Sequence, residues 1–120
     1  MQPRDVSVLK HIQEYCEDID RYLQAVGRSF DAFLADSMCQ HSISFCILQI
    51  GELVGKLSDE FRSTSLSEIN WIAIKGMRNI VVHDYGNVDK EEVWIAATRD
   101  IPILKVFCEE KTGTRQPTDL

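Results

Sequence analysis

Between Arg4 and Ile101 the chain contains no proline, and its apolar residues recur at alternating steps of three and four. That spacing gathers them on one side of a 3.6-residue helix. A β-strand, whose side chains alternate with a period of two, would scatter them over both faces. Alternating β-branched runs are scarce, and neither internal repeats nor low-complexity segments occur. The pattern predicts an all-α protein.

Four main helices follow from the register. The first spans about Arg4 to Val26, with Leu9, Ile12, Cys16, Ile19, Leu23 and Val26 forming its stripe; Pro3 suits the first turn and Gly27 the stop. The second runs from near Ser37 to Phe61 through Ile43, Ile47, Ile50, Val54 and Leu57. Phe45, Cys46, Leu48 and Leu53 widen its apolar face, which makes it the central helix. Gly51 and Gly55, four apart, either admit a neighbouring backbone closely or are simply tolerated.

Ser67 reads as the cap of the third helix, with Leu66 and Trp71 at the two positions of a hydrophobic staple. Ile69, Ile72, Met77 and Ile80 carry it to Gly86 and Asn87. Asp89, with Glu92 three residues on, caps the fourth helix. Pro102 removes a backbone donor, so that helix must kink or restart there. The result is an up-and-down bundle over residues 1–110, followed by a polar tail, 111–120, expected to fray.

Composition narrows what such a bundle does. The 120 residues suffice for one core, and the longest apolar runs fall far short of the ~20 residues that cross a bilayer, so no membrane partner is expected. The first 20 residues lack the basic-then-apolar order of a secretory leader. Cys16, Cys39, Cys46 and Cys108 form no C-x-x-C pair and no zinc spacing, and read as reduced core thiols. A cytoplasmic protein is expected. The formal net charge of −6 means that any nucleic-acid contact must come from a local patch or from two copies of one.

The chemistry concentrates in "MRNIVVHDYG", Met77 to Gly86. On a helix, Arg78 and Tyr85 differ by about 20° in azimuth and Asn79 and His83 by about 40°, giving two adjacent rows. Arg78 and His83 stand about 140° apart and would not meet on one straight helix. Either the helix loosens, or the two meet a substrate from different sides, or they meet across a dimer axis. A purely structural reading is also open: a histidine at a helix C-terminus suits the dipole, an arginine can bond the last carbonyls, and a tyrosine can close a core edge.

As chemistry, arginine offers a permanently charged fork for phosphate and histidine a proton shuttle near neutral pH. The sequence shows no cluster of carboxylates and histidines for a metal, and no cofactor is called for. Such a set suits RNA cleavage through the substrate's own 2′-hydroxyl. His11 and His41 have no partners at motif spacing. Trp71 and Trp94 read as packing anchors rather than base-stacking platforms. Lys75, three before Arg78, would extend a basic strip; Arg62, Lys56 and Arg99 would extend it too, or form a solvated face.

Arg78, Asn79, His83 and Tyr85 resemble the R-x4-H-x-Y signature of HEPN-domain toxins, and more narrowly the HepT-like family. "ILQIGELVGKLSDEF", "INWIAIKGMRNIVVHDY" and "VDKEEVWIAATRDIPIL" resemble HepT-like segments in order and spacing, covering most of the chain from Ile43 to Leu104. The resemblance implies a HEPN-type helical bundle and a homodimer whose two motifs face a shared cleft. It implies a metal-independent endoribonuclease, the toxin of a type VII-like toxin–antitoxin pair. Arg78 and His83 would be catalytic and Asn79 their polar companion. Tyr85 would receive AMP from an MntA-like minimal nucleotidyltransferase antitoxin. Other HEPN relatives are binding modules, so a non-catalytic domain that docks a nucleotidyltransferase or binds nucleotide is the alternative.

Overall fold

A computed structural model of the chain describes residues 1–82 and 89–114, which fold as an all-α bundle. Helix α1, Pro3–Ala25, packs between α3, Ser37–Val54, and α8, Ile101–Thr112. Short helices fill the rest: α2, Phe30–Leu34; α4, Asp59–Thr64; α5, Trp71–Gly76; α6, Asn79–Val82; and α7, Lys90–Ile95. Helices α5, α6 and α7 pack on α3, which is thus central, as its wide apolar face predicts. Leu9, Ile12, Cys16, Ile19, Ile43, Ile47, Ile50 and Leu104 are fully or almost fully buried at the middle of the bundle. Among the described residues no helix is long and apolar enough to cross a membrane.

The first helix matches its expected span, and Gly27 beyond its end takes the left-handed conformation, φ +62°. The second predicted helix does not reach Phe61. It stops at Val54, and α4 begins after Ser58, whose hydroxyl accepts from Phe61 N at 3.2 Å. The break has a specific cause. Asp5 of α1, fully buried, accepts from Ser58 N (2.7 Å) and Ser58 Oγ (2.7 Å), holding Ser58 in an extended conformation where a helix would need an α one. Leu57 and Phe61 remain buried, so the three-and-four spacing marked the inward side correctly across a break in the axis.

The third helix begins at Trp71, not after Ser67. Asn70 is its cap, its side chain accepting from Ala73 N at 3.1 Å, and Leu66 is exposed, so no staple forms. Trp71 is anchored instead by a relay: its indole Nε1 donates to Ser65 Oγ (2.8 Å), which donates to Phe61 O (2.6 Å). Its ring packs on Phe61 and Phe107, while Trp94 packs on Phe30 and Phe33.

The Asp89 cap forms, accepting from Glu92 N at 3.1 Å. The interruption predicted at Pro102 takes the form of a π-helical turn, Ala96–Asp100, in which Ile101 N–H reaches back five residues to Ala96 O. A proline two positions into α8 cannot donate to the carbonyl four residues earlier, and the wider turn just before it absorbs that mismatch. Lys111 and Thr112 of the polar tail are the last turn of α8. Gly113, at φ +70°, closes it, with Thr114 N bonded to Glu109 O at 3.0 Å. Gln13 on α1 donates to Thr114 Oγ1 at 2.9 Å and accepts from Thr112 Oγ1 at 3.1 Å, tying this end to the bundle. The remaining tail, 115–120, lies outside the described residues.

Candidate functional site

The motif begins where a helix breaks. Helix α5 ends at Gly76, Met77 and Arg78 form a turn, and α6 restarts at Asn79. The backbone bonds tighten from four-residue to three-residue steps: Arg78 N to Lys75 O (3.3 Å), Ile80 N to Met77 O (3.1 Å), Val81 N to Arg78 O (3.0 Å). Ile74 and Met77, both buried, pin the turn to the core. The register of α5 therefore does not run on as one straight α-helix through Arg78 into α6.

Helix α3 supplies the opposite wall. Gly51 is buried, and a Cβ placed on it would lie 2.9 Å from Arg78 Cβ and 3.4 Å from Arg78 Cδ. No side chain fits there, so the aliphatic stem of Arg78 lies against bare backbone. One turn along, a Cβ on Gly55 would lie 3.9 Å from Lys75 Nζ. Gly51 in α3 and Gly55 just past its end thus face Arg78 and Lys75, and Gly51 is the one whose lack of a side chain the packing requires.

The guanidinium is held at its far end. Arg78 Nη2 pairs with Glu52 Oε1 at 2.9 Å, with the arginine side chain 36% exposed and the glutamate 52%. Arg78 Nε is buried and has no hydrogen-bond partner among the described residues. No motif in the sequence marks Glu52; its one local signal is a charged residue beside a glycine, between Ile50 and Leu53.

Asn79 is exposed at the start of α6, beside Arg78. Lys75 is exposed on the preceding turn. Arg62 and Arg99 instead form surface pairs with Asp59 and Asp100. His83 and Tyr85 lie outside the described residues, and with them the relation of Arg78 to the histidine. Among the described residues no group of three His, Cys, Asp or Glu side chains is placed to hold a metal ion.

Burial deactivates the thiols. All four cysteines are free and buried. Desolvation pushes Cys46 and Cys108 up to about 12 and raises Cys16 well above the ordinary thiol value, Cys39 less. None of them is poised as a nucleophile.

An all-α bundle that carries an R-x4-H-x-Y sequence from a helix break packed on its central helix is a HEPN-type domain. Residues 12–110 match the family described as Ribonuclease HepT-like, and the chain belongs to that family. Among its relatives is Putative RNase TTE0752 of Caldanaerobacter subterraneus, 31% identical over 102 residues, which are 85% of this chain and 88% of that protein. Probable ribonuclease HepT of Thermococcus cleftensis is 30% identical over 98 residues, 78% of this chain and 88% of its own length. Putative RNase MJ1216 of Methanocaldococcus jannaschii is 29% identical over 106 residues, 88% and 85% of the two chains. No solved structure matches the chain significantly.

Proposed function

We propose that this protein is the toxin of a type VII-like toxin–antitoxin pair, a metal-independent endoribonuclease that uses Arg78 and His83. The observation that carries the reading is Arg78 itself: a half-exposed arginine, seated on Gly51, that opens an R-x4-H-x-Y sequence in a member of a ribonuclease family. In the reaction the RNA 2′-oxygen attacks the adjacent phosphorus and the P–O5′ bond breaks. The 2′-hydroxyl proton leaves to a base, and a proton reaches the departing 5′-oxygen. His83 moves these protons, and Arg78 stabilises the charge that builds on the non-bridging oxygens. Asn79 is the supporting polar group. The products are a 2′,3′-cyclic phosphate and a 5′-hydroxyl.

The working unit is a homodimer with its two motifs facing one cleft. Two copies of the Lys75–Arg78 edge then answer the −6 charge of the single chain by concentrating cations locally. An MntA-like nucleotidyltransferase silences the toxin by moving AMP from ATP onto the Tyr85 hydroxyl, with pyrophosphate leaving. The added phosphate competes with RNA for Arg78.

The pairing of Arg78 with Glu52 is what favours the other reading, a non-catalytic HEPN module in which the arginine is structural. Incubation of the purified protein with RNA and with all-DNA substrate in EDTA separates the two. The toxin reading expects RNA cleavage with cyclic-phosphate ends, DNA left intact, and sedimentation at twice the chain mass. Intact RNA, with a monomer in solution, supports the module.

A further inference from the structure

Glu52 has no part in the mechanism above, yet among the described residues it is the one whose side chain pairs with the Arg78 guanidinium. Three constraints act on one side chain. The stem of Arg78 is pressed against α3 at Gly51, its Nε is buried, and its Nη2 is tethered to Glu52 Oε1 at 2.9 Å. A half-exposed ion pair of this kind adds little to stability, so folding energy does not account for it. Electrostatically the carboxylate is unfavourable, because it places an anion beside the group that must receive a phosphate.

What the tether does supply is orientation. Arginine is rotamer-rich, and a guanidinium that must meet one phosphate in one plane gains from having that freedom removed before substrate arrives. Glu52 holds Nη2 by charge at 2.9 Å and Nε is buried, which fixes the plane in which the guanidinium meets a phosphate.

The geometry points to Glu52 as a positioning residue for the catalytic arginine, one that raises the rate of cleavage and weakens the binding of RNA. This rests on the ribonuclease reading of Arg78. The signature is a split between two constants that a merely structural contact would not produce.

Glu52→Gln tests it, because the amide keeps the length and shape of the side chain and removes the charge. Expected are a kcat lower by roughly tenfold to a hundredfold, the scale of a misplaced catalytic group, a KM for RNA that holds or falls, and an unchanged melting midpoint. An unchanged kcat, or a higher KM, in an otherwise active protein overturns the proposal and leaves the ribonuclease reading standing.

Nitrogen-15 NMR of the arginine side chains gives a readout independent of activity. The Arg78 Nε–H, assigned by its disappearance in Arg78→Lys, should exchange slowly with water in the parent and faster in Glu52→Gln. Equal exchange in the two proteins overturns the positioning role. A parent that does not cleave RNA overturns the ribonuclease reading alone, and the exchange rates then decide whether Glu52 orients Arg78.

Discussion

Arg78, in the turn between α5 and α6, meets Gly51 of α3 so closely that a single added methyl group on the glycine would lie 2.9 Å from the arginine Cβ. The colliding atom is fixed to the backbone and cannot swing aside as the end of a long side chain can. Gly51→Ala should therefore push the Arg78 turn off α3, at about 1–3 kcal/mol of overpacking strain. The helix propensity gained by alanine, up to about 1 kcal/mol, offsets part of this. Gly55→Ala is the internal control. Its new Cβ would meet nothing nearer than Glu52 O at 3.4 Å, so it should be neutral or stabilising. The urea midpoint should fall for Gly51→Ala and hold or rise for Gly55→Ala, and only Gly51→Ala should lose cleavage. Equal midpoints would show that Arg78 does not need the glycine.

Asp5 is predicted to govern acid stability. Burial acts to raise its pKa, but the bonds from Ser58 N–H, Ser58 Oγ and Gln2 N–H, with the Arg4 charge nearby, outweigh burial and lower it. A carboxyl held below its unfolded value stabilises the fold above the unfolded pKa, about 3.9. That stabilisation is lost as pH falls from there through the folded pKa. Asp5→Ala leaves the Ser58 N–H buried and unpaired, and should cost about 3 kcal/mol at neutral pH. Unfolding curves from pH 6 to pH 2 should fall less steeply for the variant. Parallel curves would contradict the role given to Asp5.

The cysteines should be silent in the folded protein. With Cys46 and Cys108 pushed up to about 12 by burial, and Cys16 and Cys39 also raised, almost no thiolate exists at pH 8. A thiol-reactive disulfide reagent should label the native protein only as fast as it unfolds, and all four sites at once in denaturant. Rapid labelling of one site under native conditions would contradict the packing described.

The AMP acceptor can be tested by intact mass. Incubated with an MntA-like nucleotidyltransferase, ATP and magnesium, the parent should gain AMP and lose cleavage. Tyr85→Phe, which keeps the ring and removes the acceptor, should stay unmodified. A Tyr85→Phe protein that gains AMP as readily as the parent would place the modification elsewhere.

The class of fold and the buried faces were legible in the sequence because three-and-four spacing reports which side of a segment faces inward. Helix ends were less legible, since they are set by long-range bonds that no local pattern carries. Phe61 was on the correct face, but the break before it depends on Asp5, 53 positions from Ser58. Ser67 and Asn70 are both good caps in isolation, and the Trp71–Ser65–Phe61 relay goes with a start after Asn70. At the candidate site the sequence pointed to Arg78 and to the possible use of Gly51. It did not point to Glu52, whose pairing with Arg78 arises only when α3 and the α5–α6 turn are packed together.

Whether Arg78 and His83 cut RNA is decided by the cleavage rate of His83→Ala in EDTA, measured beside the parent and Arg78→Ala. The parent should cleave RNA without metal, His83→Ala should have no activity, and Arg78→Ala should lose on the order of 3 kcal/mol of transition-state stabilisation or more. All three should remain folded. Cleavage by His83→Ala at the parent's rate would mean that His83 takes no part in the chemistry.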